Sequence, residues 1–201
     1  MNKSTDVIVI GGGVIGTSVA YYAAKAGKRV VLLDRGDIAA GTSGACDGFI
    51  ILQSKNPGPH LNLAMQSAAL YRTLAAELDY DIEYMPCGGM IVAESEKQAQ
   101  LLQGLIAKQK QAGLQVELLP IKEARQSEPL LAADLWGAAY CADDAQVNPI
   151  RLAQGFAQGC AQRPRDRVRQ PARWIGHHQR DGLGGVRVGS EAGAACQGHA
   201  Q

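Results

Sequence analysis

Six residues constrain this chain more than any others: Gly11-Gly12-Gly13-Val14-Ile15-Gly16. They follow an all-apolar run, Val7-Ile-Val-Ile10, which reads as a strand buried on both faces. They lead into Gly16 to Ala26, small residues and aromatics without a breaker, a helical stretch that Gly27 closes. A second strand candidate, Lys28 to Leu33, stops at Asp34. Strand, helix and strand within about 30 residues make a βαβ unit, whose crossover requires the two strands to be parallel. The spacing G-x-G-x-x-G at 11, 13 and 16 means little alone in a chain with 24 glycines, but here it follows a strand and opens a helix. Each glycine then has its own task. Gly11 permits the tight turn, Gly13 lets the backbone approach a pyrophosphate, and Gly16 allows the helix to pack closely on the strand. Free N–H groups and the positive end of the helix dipole favour phosphate at that point. Asp34, at the end of the second strand, can accept the hydroxyls of an adenosine ribose. An ADP-binding unit is expected. The Asp34 charge repels a 2′-phosphate and so disfavours NADP, which neighbouring Arg35 still permits, and the glycines leave NAD and FAD both open.

Length and charge set the rest of the frame. With 201 residues, 46% of them hydrophobic and 19% charged, the chain is in the globular range and suffices for one domain or part of a larger protein. The net charge of +1 argues against a protein built to hold nucleic acid or an acidic membrane surface. Five scattered cysteines (Cys46, Cys87, Cys141, Cys160, Cys196) form no CxxC. They suggest neither a zinc site nor a disulfide framework, so no metal is expected and reduced thiols are. Three glycines interrupt the apolar stretch after Lys3, unlike a signal peptide. No run approaches the roughly 18 apolar residues of a membrane span. The expectation is a cytoplasmic protein.

Downstream, Asp37 to Ser54 begins as a loop spaced with glycines. After Pro57-Gly58-Pro59, Leu61–Leu78 has helical spacing, with Leu63, Ser67, Leu70, Leu74 and Leu78 expected on one face. Strands are expected at Ile82–Met85, Gly89–Ala93, Val116–Leu119 and Gly137–Cys141. Helices are expected at Glu96–Ala112, closed by Gly113, at Ile121–Ser127, and from Pro149, a residue suited to a helix N1 position.

The segment DVIVIGGGVIGTSVAYYAAKAGKRVVLLDRGDIAAGTSGACDGF resembles the start of the FAD-dependent amino-acid oxidase and dehydrogenase superfamily. That superfamily includes D-amino-acid dehydrogenases, glycine and sarcosine oxidases, and β-type subunits of opine and hydroxyproline dehydrogenases. Similar pattern continues in Gly88–Glu94, Glu123–Leu131, Gly137–Tyr140 and Asp143–Pro149, so the resemblance covers residues 6 to about 160. It implies FAD as cofactor and an α/β fold: a Rossmann-type FAD-binding βαβ domain joined to an α+β substrate domain, incomplete at the C-terminus. The implied division is residues 1–80 for the first FAD-binding segment, 81–142 for a partial substrate domain and 143–162 for a return to the FAD-binding domain. By position, Gly11, Gly13, Val14, Ile15 and Gly16 would hold the pyrophosphate, and Asp34 with Arg35 would meet the ribose. Thr42, Ser43, Gly44 and Gly48 would pass near the pyrophosphate and the flavin ring. No His lies between Gly36 and Lys55, so non-covalent flavin is expected, with Cys46 read as a small buried thiol.

No catalytic residue is assigned. In the superfamily those groups come from the later half of a longer chain. His60 reads as a loop or helix-cap residue, and Tyr80, Tyr84 and Tyr140 as packing residues of the substrate domain's sheet. The chain also breaks in composition. Residues 1–160 hold 13 Lys and Arg against 16 Asp and Glu, whereas residues 161–201 hold seven Arg, no Lys and three acids. Periodicity fails from about Arg163, and adjacent His177-His178 lack a third metal ligand. Residues 163–201 are therefore expected to be a disordered, non-family tail, of the kind a frameshift or truncation produces. Three functional readings follow. The first is FAD-dependent oxidation of the C–N bond of an amino acid, secondary amine or opine, with a small-molecule substrate and partner subunits in a heteromeric dehydrogenase. The second is an inactive fragment of such an enzyme, and the third is an NAD-dependent dehydrogenase.

Overall fold

A computed structural model describes residues 4–162; the expected tail at 163–201, with His177-His178, lies outside the described residues. The chain opens with β1 (Val7–Ile10), α1 (Val14–Lys25) and β2 (Val30–Leu33). β1 and β2 are parallel, in register from Val7 opposite Val30 to Ile10 opposite Leu33. The unit is the expected βαβ, but its helix starts two residues early, so Val14 and Ile15 form its first turn. Asp6 and Arg29 tie the starts of the two strands together: the Arg29 amide and guanidinium both donate to the Asp6 carboxylate. The expected burial of β1 on both faces is not met. Val9 packs with Ala20 and Leu32 beneath α1, while Ile8 and Ile10 are 63% and 85% exposed. Among the described residues β1 pairs with β2 alone and α1 covers one face, which leaves the other open.

The remaining elements are β3 (Phe49–Ile50), α2 (Pro59–Leu78), β4 (Gly89–Ala93), α3 (Glu96–Gln111), β5 (Val116–Leu119), α4 (Ile121–Ser127), β6 (Gly137–Cys141), β7 (Ala145–Gln146) and α5 (Pro149–Gln162). β4, β6 and β5 form an antiparallel sheet in that order. β3 and β7 form a two-residue antiparallel pair inside what reads in sequence as a loop. The strand expected at Ile82–Met85 reduces to one bridge, Met85 with Gln146, because Asp81 and Glu83 turn the chain there. The Glu83 amide donates to the Asp81 carboxylate, and Glu83 takes a left-handed φ of 53°.

α2 spans about 30 Å and joins two cores. Leu61 and Ala68 pack with Leu114, Val116 and Ala139 against the three-stranded sheet. Leu74 and Leu78 pack with Tyr21 and Phe156 between α1 and α5. The expected apolar face of α2 is therefore corrected. Leu63 and Leu70 are 68% and 56% exposed, and the buried stripe runs Leu61, Ala68, Leu74, Leu78, with Ala64, Met65 and Tyr71 along it. Tyr80 and Tyr84 are also corrected: both belong to the core between α2 and α5, and only Tyr140 lies in the sheet. Arg151 caps the Tyr80 ring at 5.6 Å, and Tyr84 stacks on Tyr71 with centroids 6.2 Å apart.

The closeness of α1 and α5 depends on missing side chains. A Cβ on Gly159 would stand 2.8 Å from Cε2 of Tyr21, a ring with no exposed surface. Gly104, by contrast, sits on α3 with open space where its Cβ would be. The same substitution therefore has opposite signs at the two sites. Gly104→Ala raises unfolding free energy by about 0.5–1 kcal/mol by removing helix-disfavouring backbone entropy. Gly159→Ala lowers it by about 1–3 kcal/mol through overpacking. Denaturant midpoints of the two variants check both signs.

Candidate functional site

The turn between β1 and α1 is held from below by the end of β2 and from the side by the loop that follows. The Gly11 amide donates to the Leu33 carbonyl at 2.7 Å, extending the strand ladder into the turn. Gly11 has a φ of 117°, where a side chain would be strained, and its Cβ direction opens into free space. The Gly12 amide donates to Oδ2 of Asp34, and the Gly36 amide donates to Oδ1 of Asp34 at 2.8 Å. One carboxylate thus fastens the glycine turn to the end of β2. These amides, Gly12 first, hold the Asp34 carboxyl below the usual carboxylate range.

Two further contacts come from the loop at 37–44. The Ala39 amide donates to the Gly12 carbonyl at 3.0 Å, and Ala39 adopts a left-handed φ of 60° to do so. The Val14 amide, at the first helical position, donates to Oγ of Ser43 at 3.0 Å. No side chain of α1's own N-terminus caps it, and no acid occupies its first turn. Ser43 therefore supplies the cap from 29 residues away and retains its own hydroxyl proton as a donor. Gly16 is fixed by contact, since a Cβ there would lie 1.9 Å from the Gly11 carbonyl oxygen. Gly44 is fixed likewise, its Cβ falling 2.2 Å from the Ala39 carbonyl.

The expected site residues thus divide into three groups. Gly11, Gly13, Val14, Gly16, Asp34, Ser43 and Gly44 come together around one helix terminus. Ile15, Arg35 and Thr42 lie at its margin with exposed side chains. Gly48 stands apart from the turn, buried against the segment between β7 and α5 with a φ of 74°, and its Cβ would be 2.1 Å from the Val147 carbonyl. Gly12 and Ala39 also belong to this corner, beyond the residues expected from the sequence. Gly12 is signalled by the uninterrupted glycine triplet; Ala39 carries no sequence signal, because its role rests on backbone conformation.

Cys46 is exposed, not buried as expected, because the glycine-rich loop turns outward there; its thiol donates to the Ser43 carbonyl at 3.2 Å. His60 is exposed at the second residue of α2. Cys141 is buried beside Asp144, and burial first, with that carboxylate second, pushes its thiol up to about 11, so it is no nucleophile near neutrality. Among the described residues no group of three or more His, Cys, Asp or Glu could hold a metal ion. No described helix is long and apolar enough to cross a membrane.

The turn fits a dinucleotide pyrophosphate: backbone lines it, open space lies above Gly11, and the helix terminus and a serine hydroxyl offer donors. Comparison with known sequences agrees, for the family described as FAD dependent oxidoreductase matches residues 6–197. The chain belongs to that family. The match runs beyond the described residues into the segment where the composition breaks. Glycine oxidase of Geobacillus kaustophilus is 35% identical over 168 residues, covering 80% of this chain and 45% of that enzyme. Glycine oxidase of Bacillus licheniformis is 33% identical over 165 residues, covering 79% of this chain and 43% of that enzyme. The crystal structure of glycine oxidase from Geobacillus kaustophilus superimposes with a TM-score of 0.75 at 32% identity, over 86% of this chain and 46% of that one. The chain therefore spans somewhat less than half the length of these relatives. FAD is the cofactor of the family, and the mixed α/β fold is its FAD-binding fold.

The Asp34 clasp makes a pH prediction. A carboxyl lowered on folding contributes stability that is fully present above its unfolded value of about 3.9 and is lost as pH falls through the folded value. Asp34→Asn is expected to cost about 1–3 kcal/mol near neutrality. That difference from the parent chain should hold steady above about pH 5 and shrink below about pH 4. Urea unfolding of both proteins across that range checks it; a difference that stays constant to the lowest pH contradicts it.

Proposed function

We propose that the protein is part of an FAD-dependent oxidoreductase that oxidises the C–N bond of an amino acid, secondary amine or opine. The observation that carries the reading is the pinned glycine turn at the N-terminus of α1, with Asp34 below and Ser43 beside it. In this reading the backbone at Gly11, Gly13, Val14, Ile15 and Gly16 holds the pyrophosphate. Asp34, whose oxygens keep lone pairs beyond the two amides they already accept, meets the adenosine ribose with Arg35 at its edge. Thr42, Ser43 and Gly44 run along the pyrophosphate, and Gly48 lies toward the flavin ring. The bound flavin would supply the hydride acceptor; the chain's own residues bind and orient it. The glycines leave the turn lined by backbone, so the phosphates meet amides of the turn together with the Ser43 hydroxyl. A small amine or amino acid is the proposed substrate, with partner subunits of a heteromeric dehydrogenase and a cytoplasmic setting as further parts of the proposal.

Titration of the purified full chain with FAD and with NAD, read by flavin fluorescence quenching and by thermal stabilisation, tests the cofactor. FAD is expected to bind and NAD not, and Gly16→Ala is expected to weaken FAD by at least about tenfold, because its Cβ cannot coexist with the Gly11 carbonyl. Stabilisation by NAD without flavin uptake contradicts the reading. Anaerobic mixing of the flavin-loaded chain with glycine, sarcosine or an opine tests the chemistry. Bleaching of the flavin absorption by any one of them supports the substrate class, whereas colour that survives all three with FAD bound points to the inactive-fragment reading and leaves the cofactor standing.

A further inference from the structure

A second buried polar assembly lies away from the glycine turn. Asp144, Gln53 and Gln109 are 2%, 2% and 1% exposed. Oδ1 of Asp144 accepts from the Leu52 amide at 2.7 Å, and Oδ2 accepts from the Gln53 side-chain amide at 2.9 Å. That same Gln53 nitrogen also donates to the Gly89 carbonyl at 2.8 Å. Gln109, from α3, donates to the carbonyls of Gln53 and Lys55, both at 2.8 Å. Room for the carboxylate depends on a glycine: a Cβ on Gly89 would lie 2.8 Å from Oδ2 of Asp144. Buried polar groups are retained at such cost only where their partners are fixed.

What they fix is one segment. The residues just after Asp144 grip the chain just before Leu52: Ala145 pairs with Ile50, Gln146 with Phe49, and the Val147 amide donates to the Gly48 carbonyl at 3.0 Å. Gly48 to Gln53 is thus held by residues 144–147, 91 or more residues away, and at its end by Gln109, 56 residues away. Phe49 is nevertheless 55% exposed, so the segment presents one outward edge on a rigid backing.

We propose that Asp144, with Gln53 and Gln109, is a positioning residue that sets where Gly48–Ile51 stands against the flavin half of the cofactor. The inference rests on the proposed FAD reading, in which Gly48 lies toward the flavin ring and the exposed Phe49 edge faces the same way. The glycine turn and the Asp144 assembly then govern different halves of one ligand: the first the ADP half, the second the flavin half.

The test compares FAD with ADP on the full chain, by fluorescence quenching for FAD and calorimetry for ADP. Asp144→Asn turns an amide donor toward the Gln53 amide and displaces it from Gly89. Gln109→Met keeps bulk and removes the two bonds to Gln53 and Lys55. Both variants are expected to weaken FAD by roughly tenfold, Asp144→Asn more than Gln109→Met, while ADP affinity stays within about twofold of the parent. Equal FAD affinity in parent and variants overturns the inference, as does a parallel loss of ADP binding in both, which marks a purely structural role. A parent chain that binds FAD no better than ADP removes the flavin reading itself, an outcome separate from either.

Discussion

The Gly12 amide donating into the Asp34 carboxylate is the contact on which the rest of the molecule turns. A glycine-rich turn is costly to order, because glycine loses more backbone freedom on folding than any other residue. Asp34 offsets that cost by holding the turn through Gly12 and the start of the next loop through Gly36. The loop then returns to the same turn through Ala39 and Ser43. The α1 terminus is thereby pre-formed, and a ligand meeting it has little left to organise.

From that corner the architecture passes to the second half through two devices. α2 carries one buried stripe into both cores, and α5 lies against α1 because Gly159 admits the Tyr21 ring. The segment between β6 and α5, with Asp144 and β7, then holds the Gly48–Gln53 segment from the far side. Two carboxylates, Asp34 and Asp144, do equivalent work at the two ends of the loop region, each accepting a backbone amide far away in sequence.

Much of this was legible in the residues themselves. The βαβ unit follows from apolar runs, glycine spacing and Asp34, and the strands Val116–Leu119 and Gly137–Cys141 and the helix Ile121–Ser127 stand at the limits that pattern and breakers set. The face of α2 was not legible. Leu63 and Leu70 have the same periodicity as the true stripe, and tertiary packing chose Leu61 and Ala68. The exposed face of β1 was hidden for a related reason: an apolar strand implies two covers, and the described residues supply one. Asp144 gives no local signal beside Asp143, since its partners Leu52 and Gln53 are about 90 residues distant. The exposure of Cys46 is not legible either, because small residues around it do not show which way a glycine-rich loop turns.

In this protein one pre-formed corner, extended by one braced segment, is proposed to receive a flavin dinucleotide. Hydrogen exchange of the full chain with and without saturating FAD measures it directly. Slowed exchange is expected at the amides of residues 11–16 and 42–52, with α3 and α4 unchanged. Exchange that slows elsewhere while both of those segments stay as they were would contradict the account.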